Sequence, residues 1–373
     1  MTGDYEARVA TLIKGDLGHV WTVTVQPVSG PSFTLECEDI EVTMAEDWAP
    51  HVQAKLVGSI PESLTQLDAL DGRRNCRIII QAGYVYKDGT VDIHQLADLG
   101  LRNRRTSRPS NQMGLAASSD EAKAMDRRRA EFYGSLEFDG LNDLVKFFAD
   151  YAVYPEVATL DTNFPDNGGY ASIAGMEVNI GTPMWDAIED AAARCGKWVY
   201  CTPGRFWRLT DAPSLGGTVR HVLAVGKDST IFAADSEVDR TGFANQSIVE
   251  YAWQDAEGVS HTVYGRAAVT SGPFSVNSIG YVSDHKRYDR PATQAQANAA
   301  AASRVKGLVT RGRGLSLEAH AAYWLRPGHT INVQLPTGPA EDHLIKSITF
   351  YRQGGRMLIH TRQPMDVTIT TGE

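Results

Sequence analysis

The sequence predicts a mainly β chain with α+β insertions, and three observations carry that prediction. Apolar and polar residues alternate with a period of two through much of the first hundred positions, strand signals return after Val219, and helical spacing is confined to stretches between 118 and 309. The composition fits a globular chain. Of 373 residues, 42% are apolar and 22% charged, which excludes a disordered, collagenous or disulfide-scaffold protein. The length suits two or three domains at roughly 150 residues each.

In Val20 to Val25, Trp21, Val23 and Val25 share one face, because successive side chains of a strand point to opposite sides. Phe33, Leu35 and Cys37, then Ile40, Val42 and Met44, repeat the pattern beyond the turn Ser29-Gly30-Pro31-Ser32. Cys76 to Ile80 is apolar apart from Arg77. Tyr84-Val85-Tyr86 leads into Lys87-Asp88-Gly89-Thr90, where Asp-Gly signals a hairpin. Residues 5 to about 117 therefore read as one antiparallel barrel or sandwich. Between Leu101 and Asn111, Arg102, Arg104, Arg105 and Arg108 stand among Ser, Thr and Pro, the text of an exposed basic hairpin tip. Such a tip either meets an acidic partner surface or is a solvated loop.

Helices follow. Ser118-Ser119-Asp120-Glu121 offers caps and first-turn acids for a helix to about Ala130, with Arg127, Arg128 and Arg129 near its C-terminal end. A second runs from Gly140 to Tyr151 with Leu141, Leu144, Val145 and Phe148 on one face. Thr182-Pro183 starts a third, on which Trp185, Ile188, Ala192 and Cys195 recur on the inner face, Asp186, Glu189 and Asp190 lie on the outer face, and Gly196 closes the helix. Lys197 to Cys201 and Arg205 to Leu209 then flank Thr202-Pro203-Gly204 as a hairpin. This α+β unit holds Trp185, Trp198 and Trp207, a set that reads as core or as a carbohydrate platform. Ser247 to Trp253 and Ser260 to Arg266 pair across Asp255-Ala256-Glu257-Gly258. Thr293 to about Val309 is the strongest helix by alanine content. Four strands close the chain: Leu315 to Ala319, Thr330 to Leu335, Leu344 to Tyr351 and Arg356 to Arg362, separated by Arg326-Pro327-Gly328, Pro336-Thr337-Gly338-Pro339 and Gln353-Gly354-Gly355. No sequence repeat relates the two β regions.

G-x-S-x-G, GxxxxGK[ST] and H-E-x-x-H are absent, and Leu317 stands where the third glycine of a dinucleotide fingerprint would follow Gly312 and Gly314. The ten histidines include no i, i+4 pair. The acid pairs Glu38/Asp39, Glu46/Asp47 and Glu341/Asp342 are sequence neighbours that a strand turns to opposite faces, and they read as solvated acids rather than a glycosidase pair. Cys37, Cys76, Cys195 and Cys201 form no CxxC motif and read as reduced, buried residues. Catalytic, cofactor-binding and metal-binding residues are therefore expected to be none. The net charge of −9 argues against tight nucleic-acid binding. No run reaches the ~18 to 20 apolar residues of a membrane span, and the acidic start Met1 to Glu6 is unlike a signal peptide, so neither secretion by that route nor embedding is expected.

Several stretches resemble the minor tail proteins that form the baseplate hub of long-tailed bacteriophages. They are Ile248 to Trp253, Gly265 to Pro273 and Trp324 to Val333, with Ser118 to Glu121 and Gly196 to Tyr200. The resemblance implies two antiparallel tail-tube-like β-barrels joined by an α+β domain: a first barrel over 1–117, the α+β insertion over 118–215, and a second barrel over 216–373 with a helical insertion around 267–309. It implies a homotrimeric ring that continues the tail tube, placed at the tail tip of the virion after assembly in the host cytoplasm. A distal tail protein, a tape-measure protein and other tail-tip proteins would be its neighbours. Three copies would carry −27, a sign that lets DNA slide through a channel. Arginine at 26 against lysine at 10 suggests a GC-rich genome, compatible with an actinobacterial phage. The competing expectations are a tail-associated cell-wall hydrolase or endopeptidase and a carbohydrate-binding tail-tip protein.

Overall fold

The computed structural model describes residues 17–46, 49–130, 138–161, 173, 176, 178–213, 218–225, 230–238, 242–255, 257–310, 313–336, 339–362 and 367–372. Of the sequence readings, residues 5–16 of the first β region, Asp47, Ala256, Gly312, Thr337 and Gly338 lie outside the described residues.

The first region forms β1 (Gly18–Gln26), β2 (Phe33–Thr34), β3 (Cys37–Ala45), β4 (Val52–Ser59), the short helix α1 (Leu64–Ala69), β5 (Arg77–Val85), β6 (Val91–Ser107) and β7 (Gln112–Ser118), with strand order β2-β1-β5-β6-β7-β4-β3. Alternation sets which face is buried: Val23, Val25, Ile40, Val42, Met44, Ile78 and Ile80 are all buried. The change from odd to even positions after Cys37 has a physical cause. A β-bulge between Cys37 and Asp39 inserts one residue and resets the parity. At the β5–β6 turn Gly89 takes φ 80°, and Asp88 Oδ1 accepts from the Thr90 amide at 3.0 Å.

The α+β insertion holds α2 (Glu121–Asp126), α3 (Leu141–Val153), β8 (Thr159–Leu160), α4 (Met184–Arg194), β9 (Lys197–Cys201) and β10 (Phe206–Asp211). The helix α2 ends short of the expected Ala130 because the next backbone groups have other partners. Met184 N–H donates to Arg127 O at 3.0 Å, Arg129 N–H to Thr182 O at 3.0 Å and Gly181 N–H to Arg129 O at 2.8 Å. Pro183 precedes α4 rather than opening it, and Gly196 closes it at φ 66°. Asp190, expected on the outer face of α4, is fully buried.

The last region forms β11 (Val219–Ala224), β12 (Ile231–Val238), β13 (Gln246–Gln254), β14 (Ser260–Val269), α5 (Val276–Ile279), β15 (Ser283–Tyr288), α6 (Gln294–Leu308), β16 (Arg313–His320), β17 (Thr330–Gln334), β18 (Glu341–Tyr351), β19 (Arg356–Arg362) and β20 (Ile369–Gly372). Thr293 and Gln296 make a reciprocal capping box at the start of α6. The expected helical insertion around 267–309 belongs to a larger module, in which α6 packs on a four-stranded sheet of order β15-β13-β14-β20 around Val249, Tyr251, Ala297 and Val305. At Gly265 of β14 an added Cβ would lie 2.0 Å from Ala297 O, so only glycine lets the helix sit this close.

The remaining strands, β11, β12 and β16 to β19, join the first region in a single 13-stranded sheet over one shared core. The junction is β18, whose Ser347–Tyr351 pairs antiparallel with Ala45–Glu41 of β3. On either side of it the strand order is the same: β1-β5-β6-β7-β4-β3 corresponds to β11-β17-β18-β19-β16-β12. Two bulges recur at corresponding places, Cys37/Asp39 with Ile231/Ala233 and Leu101/Asn103 with Ile345/Ser347. One pair differs, since β1 and β5 run antiparallel and β11 and β17 parallel.

Candidate assembly surfaces and aromatic groove

Strand parity separates the two tryptophans of the hairpin, and the third lies on α4. Trp207 on β10 is fully buried and Trp185 on α4 lies 6.4 Å from it between ring centroids, so both are core. Trp198 shares the other face of the hairpin with Tyr200, two positions on along β9, and their rings stack at 4.1 Å. His51 closes on Tyr200 at 4.7 Å and donates from Nδ1 to Ala45 O at 2.5 Å. These groups, with Phe206, Arg208, Arg326 and His329, line an open groove of about 770 Å³ between the hairpin and the main sheet. Burial lowers both His51 and His329 to a pKa of about 4, so both rings are neutral at pH 7. The Arg208 guanidinium is held by Asp161 at 2.7 Å. The groove sets stacked aromatic rings beside an ion pair.

The joints between the layers are polar and buried. Asp190 accepts from Tyr251 Oη at 2.6 Å, pairs with Arg194 at 3.0 Å and lies 3.4 Å from Arg290, tying α4 to the β13–α6 module. The Arg194 guanidinium also sits 4.8 Å over the Tyr251 ring and donates to Pro291 O at 3.1 Å. Asp120 and Glu156 share Arg205 and Lys123. Glu121 Oε1 accepts from the Cys201 amide at 2.6 Å, and burial raises its carboxyl to about 7. Glu46, expected as a solvated acid, instead forms a forked pair with Arg362, at 2.8 Å through Nε and 2.5 Å through a terminal nitrogen. The sequence carried one readable trace of these joints, the i, i+4 spacing of Asp190 and Arg194. Arg290 and Tyr251 come from distant segments.

The basic segment is the far end of the β6–β7 hairpin, and residues 102–110 are all exposed. Arg102 pairs with Asp126 at 2.5 Å, and Arg104 donates to Leu67 O. Among the described residues no group of three or more His, Cys, Asp or Glu side chains is placed to hold a metal ion, and no helix is long and apolar enough to cross a membrane.

No protein-family model matches the sequence, and no curated protein matches it. Solved structures do. A tail protein from Neisseria meningitidis MC58 matches at a TM-score of 0.60 and 14% identity, over 92% of this chain and 96% of that one. The 43 kDa tail protein of prophage MuSo2 from Shewanella oneidensis gives 0.58 and 10%, over 92% and 98%. A prophage tail protein from Listeria monocytogenes EGD-e gives 0.52 and 11%, over 92% and 94%. The chain therefore has the fold of phage tail proteins. It aligns with those proteins nearly end to end.

Proposed function

We propose that the chain is a structural protein of a phage tail tip, a hub subunit of which three copies form a ring that continues the tail tube and lets DNA pass. The observation that carries this reading is the doubled strand order, in a chain whose fold matches phage tail proteins over 92% of its length. Each half of the sheet would wrap as a tube-like barrel, so three copies would present six such units around the channel. The net charge of −9 per copy favours a conduit over a DNA-gripping surface. The role is one of assembly without catalysis, at the tip of the virion, among other tail proteins. Images of assembled tail tips test it. Three copies around the channel are expected; a single copy, or six, refutes the ring.

One observation favours a second reading, the open groove walled by Trp198, Tyr200 and Phe206, which suits a saccharide ring stacked on an aromatic face. Glycan-array binding that is lost in Trp198→Ala with the fold intact would support it, and a blank array removes it.

A further inference from the structure

We propose that neighbouring copies join by pairing the far end of β6 in one copy with the outer edge of β12 in the next, in the register that β18 and β3 already show within each copy. The inference rests on the ring of copies proposed above. Its starting point is the doubled strand order, in which β18 corresponds to β6 and β3 to β12. Inside the chain β17 pairs with β18 only as far as Leu344, and the bare edge beyond it, from Ser347 to Tyr351, is taken up by β3. The strand β6 has the same shape. Its partner β5 stops at Gly100, while β7 continues along the other side to Ser107. Among the described residues no strand pairs with the β5-side edge of Asn103–Ser107, and none with the outer edge of β12. Arg102 to Ser107 are exposed, as are Phe232, Ala233, Asp235 and Ser236. One chain thus presents both members of a pairing it already makes once, which is the requirement for a head-to-tail contact that can close into a ring.

The shared bulges fix the register. Lys346, in the bulge of β18, corresponds to Arg102 in the bulge of β6, so Thr349 corresponds to Arg105. On the other side Ile40 and Ala234 correspond, because they face Leu56 and Leu317 at matching places after their bulges; Thr43 then corresponds to Glu237. The internal pairs Thr349↔Thr43, Phe350↔Val42 and Tyr351↔Glu41 become Arg105↔Glu237, Thr106↔Ser236 and Ser107↔Asp235 between copies. Residues directly opposite in an antiparallel pair share a face, and diagonal neighbours are within reach of long side chains. Position 105, a cation, therefore falls opposite an acid at 237 and diagonal to another at 235. A slip of one residue would set Arg105 against Val238 or Ser236 and lose the match. In the internal seam the directly opposite pair at this place is uncharged: Thr43 Oγ1 lies 3.0 Å from Thr349 Oγ1.

The full-length chain tests this through charge reversal and cross-linking. Arg105 is exposed and β12 lies at the edge of the sheet, so Arg105→Glu and Glu237→Arg should keep the wild-type circular dichroism. Each should weaken ring assembly roughly tenfold or more, read by native mass spectrometry and sedimentation, and the two together should restore it. Thr106→Cys combined with Ser236→Cys should cross-link copies under oxidising conditions, since directly opposite Cα atoms lie within disulfide reach. Rings that persist unchanged in both reversals overturn this contact and leave the tail-ring reading standing. The same holds if rings form but the cysteine pair does not link. A chain that neither assembles nor cross-links at its highest soluble concentration also overturns it. A single copy in assembled tail tips fails the ring reading itself.

Discussion

Asp190→Ala is the sharpest probe of how the α+β insertion is fastened to the β13–α6 module. The substitution removes the acceptor of the 2.6 Å bond from Tyr251 and leaves two guanidinium groups, Arg194 and Arg290, with side chains only 1% and 6% exposed. Breaking a buried pair by removing one partner typically costs ~3–5 kcal/mol, because the remaining charge stays desolvated without compensation. Two arginines share this carboxylate, so the upper part of that range is expected. It is a large fraction of the ~5–15 kcal/mol that holds a domain together. At roughly 2–4 °C per kcal/mol for a unit of this size, the melting temperature should fall by about 6–20 °C. Scanning calorimetry on the purified variant reads this directly. Tyr251→Phe, which removes only a hydrogen bond to a charged group, should cost a smaller ~1.5–3 kcal/mol. A melting temperature for Asp190→Ala within a degree of wild type would refute the reasoning, and would mean that the two arginines find other acceptors at no cost.

Three further outcomes are expected. Glu121 ionises near 4.5 in the unfolded chain and at about 7 when buried; the folded state thus keeps a proton the unfolded state loses, and stability present below pH 4.5 declines as pH rises through 7. Glu121→Gln, which keeps an oxygen for the Cys201 amide, should match wild type near pH 4.5 and exceed it by up to about 3 kcal/mol above pH 7; a variant less stable than wild type at pH 8 would show that the ionised form is the stabilising one. Trp185→Ala should lose ~3–5 kcal/mol and become protease-sensitive, whereas Trp198→Ala at the groove should cost much less, and equal losses would put both rings in the same environment. Gly265→Ala should push α6 off its sheet and cost ~1–3 kcal/mol or more in urea unfolding; a neutral effect would mean the helix shifts freely.

Local periodicity made most of the strands legible. Ile40, Val42 and Met44 declared β3, and the Thr293 cap with its alanine run declared α6, because these signals need only neighbours in sequence. What stayed hidden depends on partners far along the chain. Asp190 looks like a surface acid on a helix until Tyr251 and Arg290 cover it. Arg127 to Arg129 look like the end of a helix, yet their backbone pairs with residues 181–184. Strand parity sorts Trp198 from Trp207, but no pattern in the sequence says which face of a two-sided hairpin meets the core. The doubled strand order left no repeat in the residues, since a buried strand asks only for apolar side chains at alternate positions and any of several will serve.

The same doubling sets two very different folding problems within one sheet. The strands β3 and β4 are only seven positions apart in sequence, Ala45 to Val52, whereas Val238 of β12 must find Arg313 of β16 across roughly 75 residues. Closing the longer loop costs about 2 kcal/mol more in chain entropy if the intervening segment is uncoiled, and much less once that segment has collapsed around Val249, Tyr251, Ala297 and Val305. The inserted module is then a folding prerequisite for the second half of the sheet: it should order first and bring β12 and β16 together. Pulse-labelling hydrogen exchange during refolding would show protection in β13 and β14 before β12, with β3 and β4 protected early and independently. Early protection of β12 while β13 still exchanges would reverse that order.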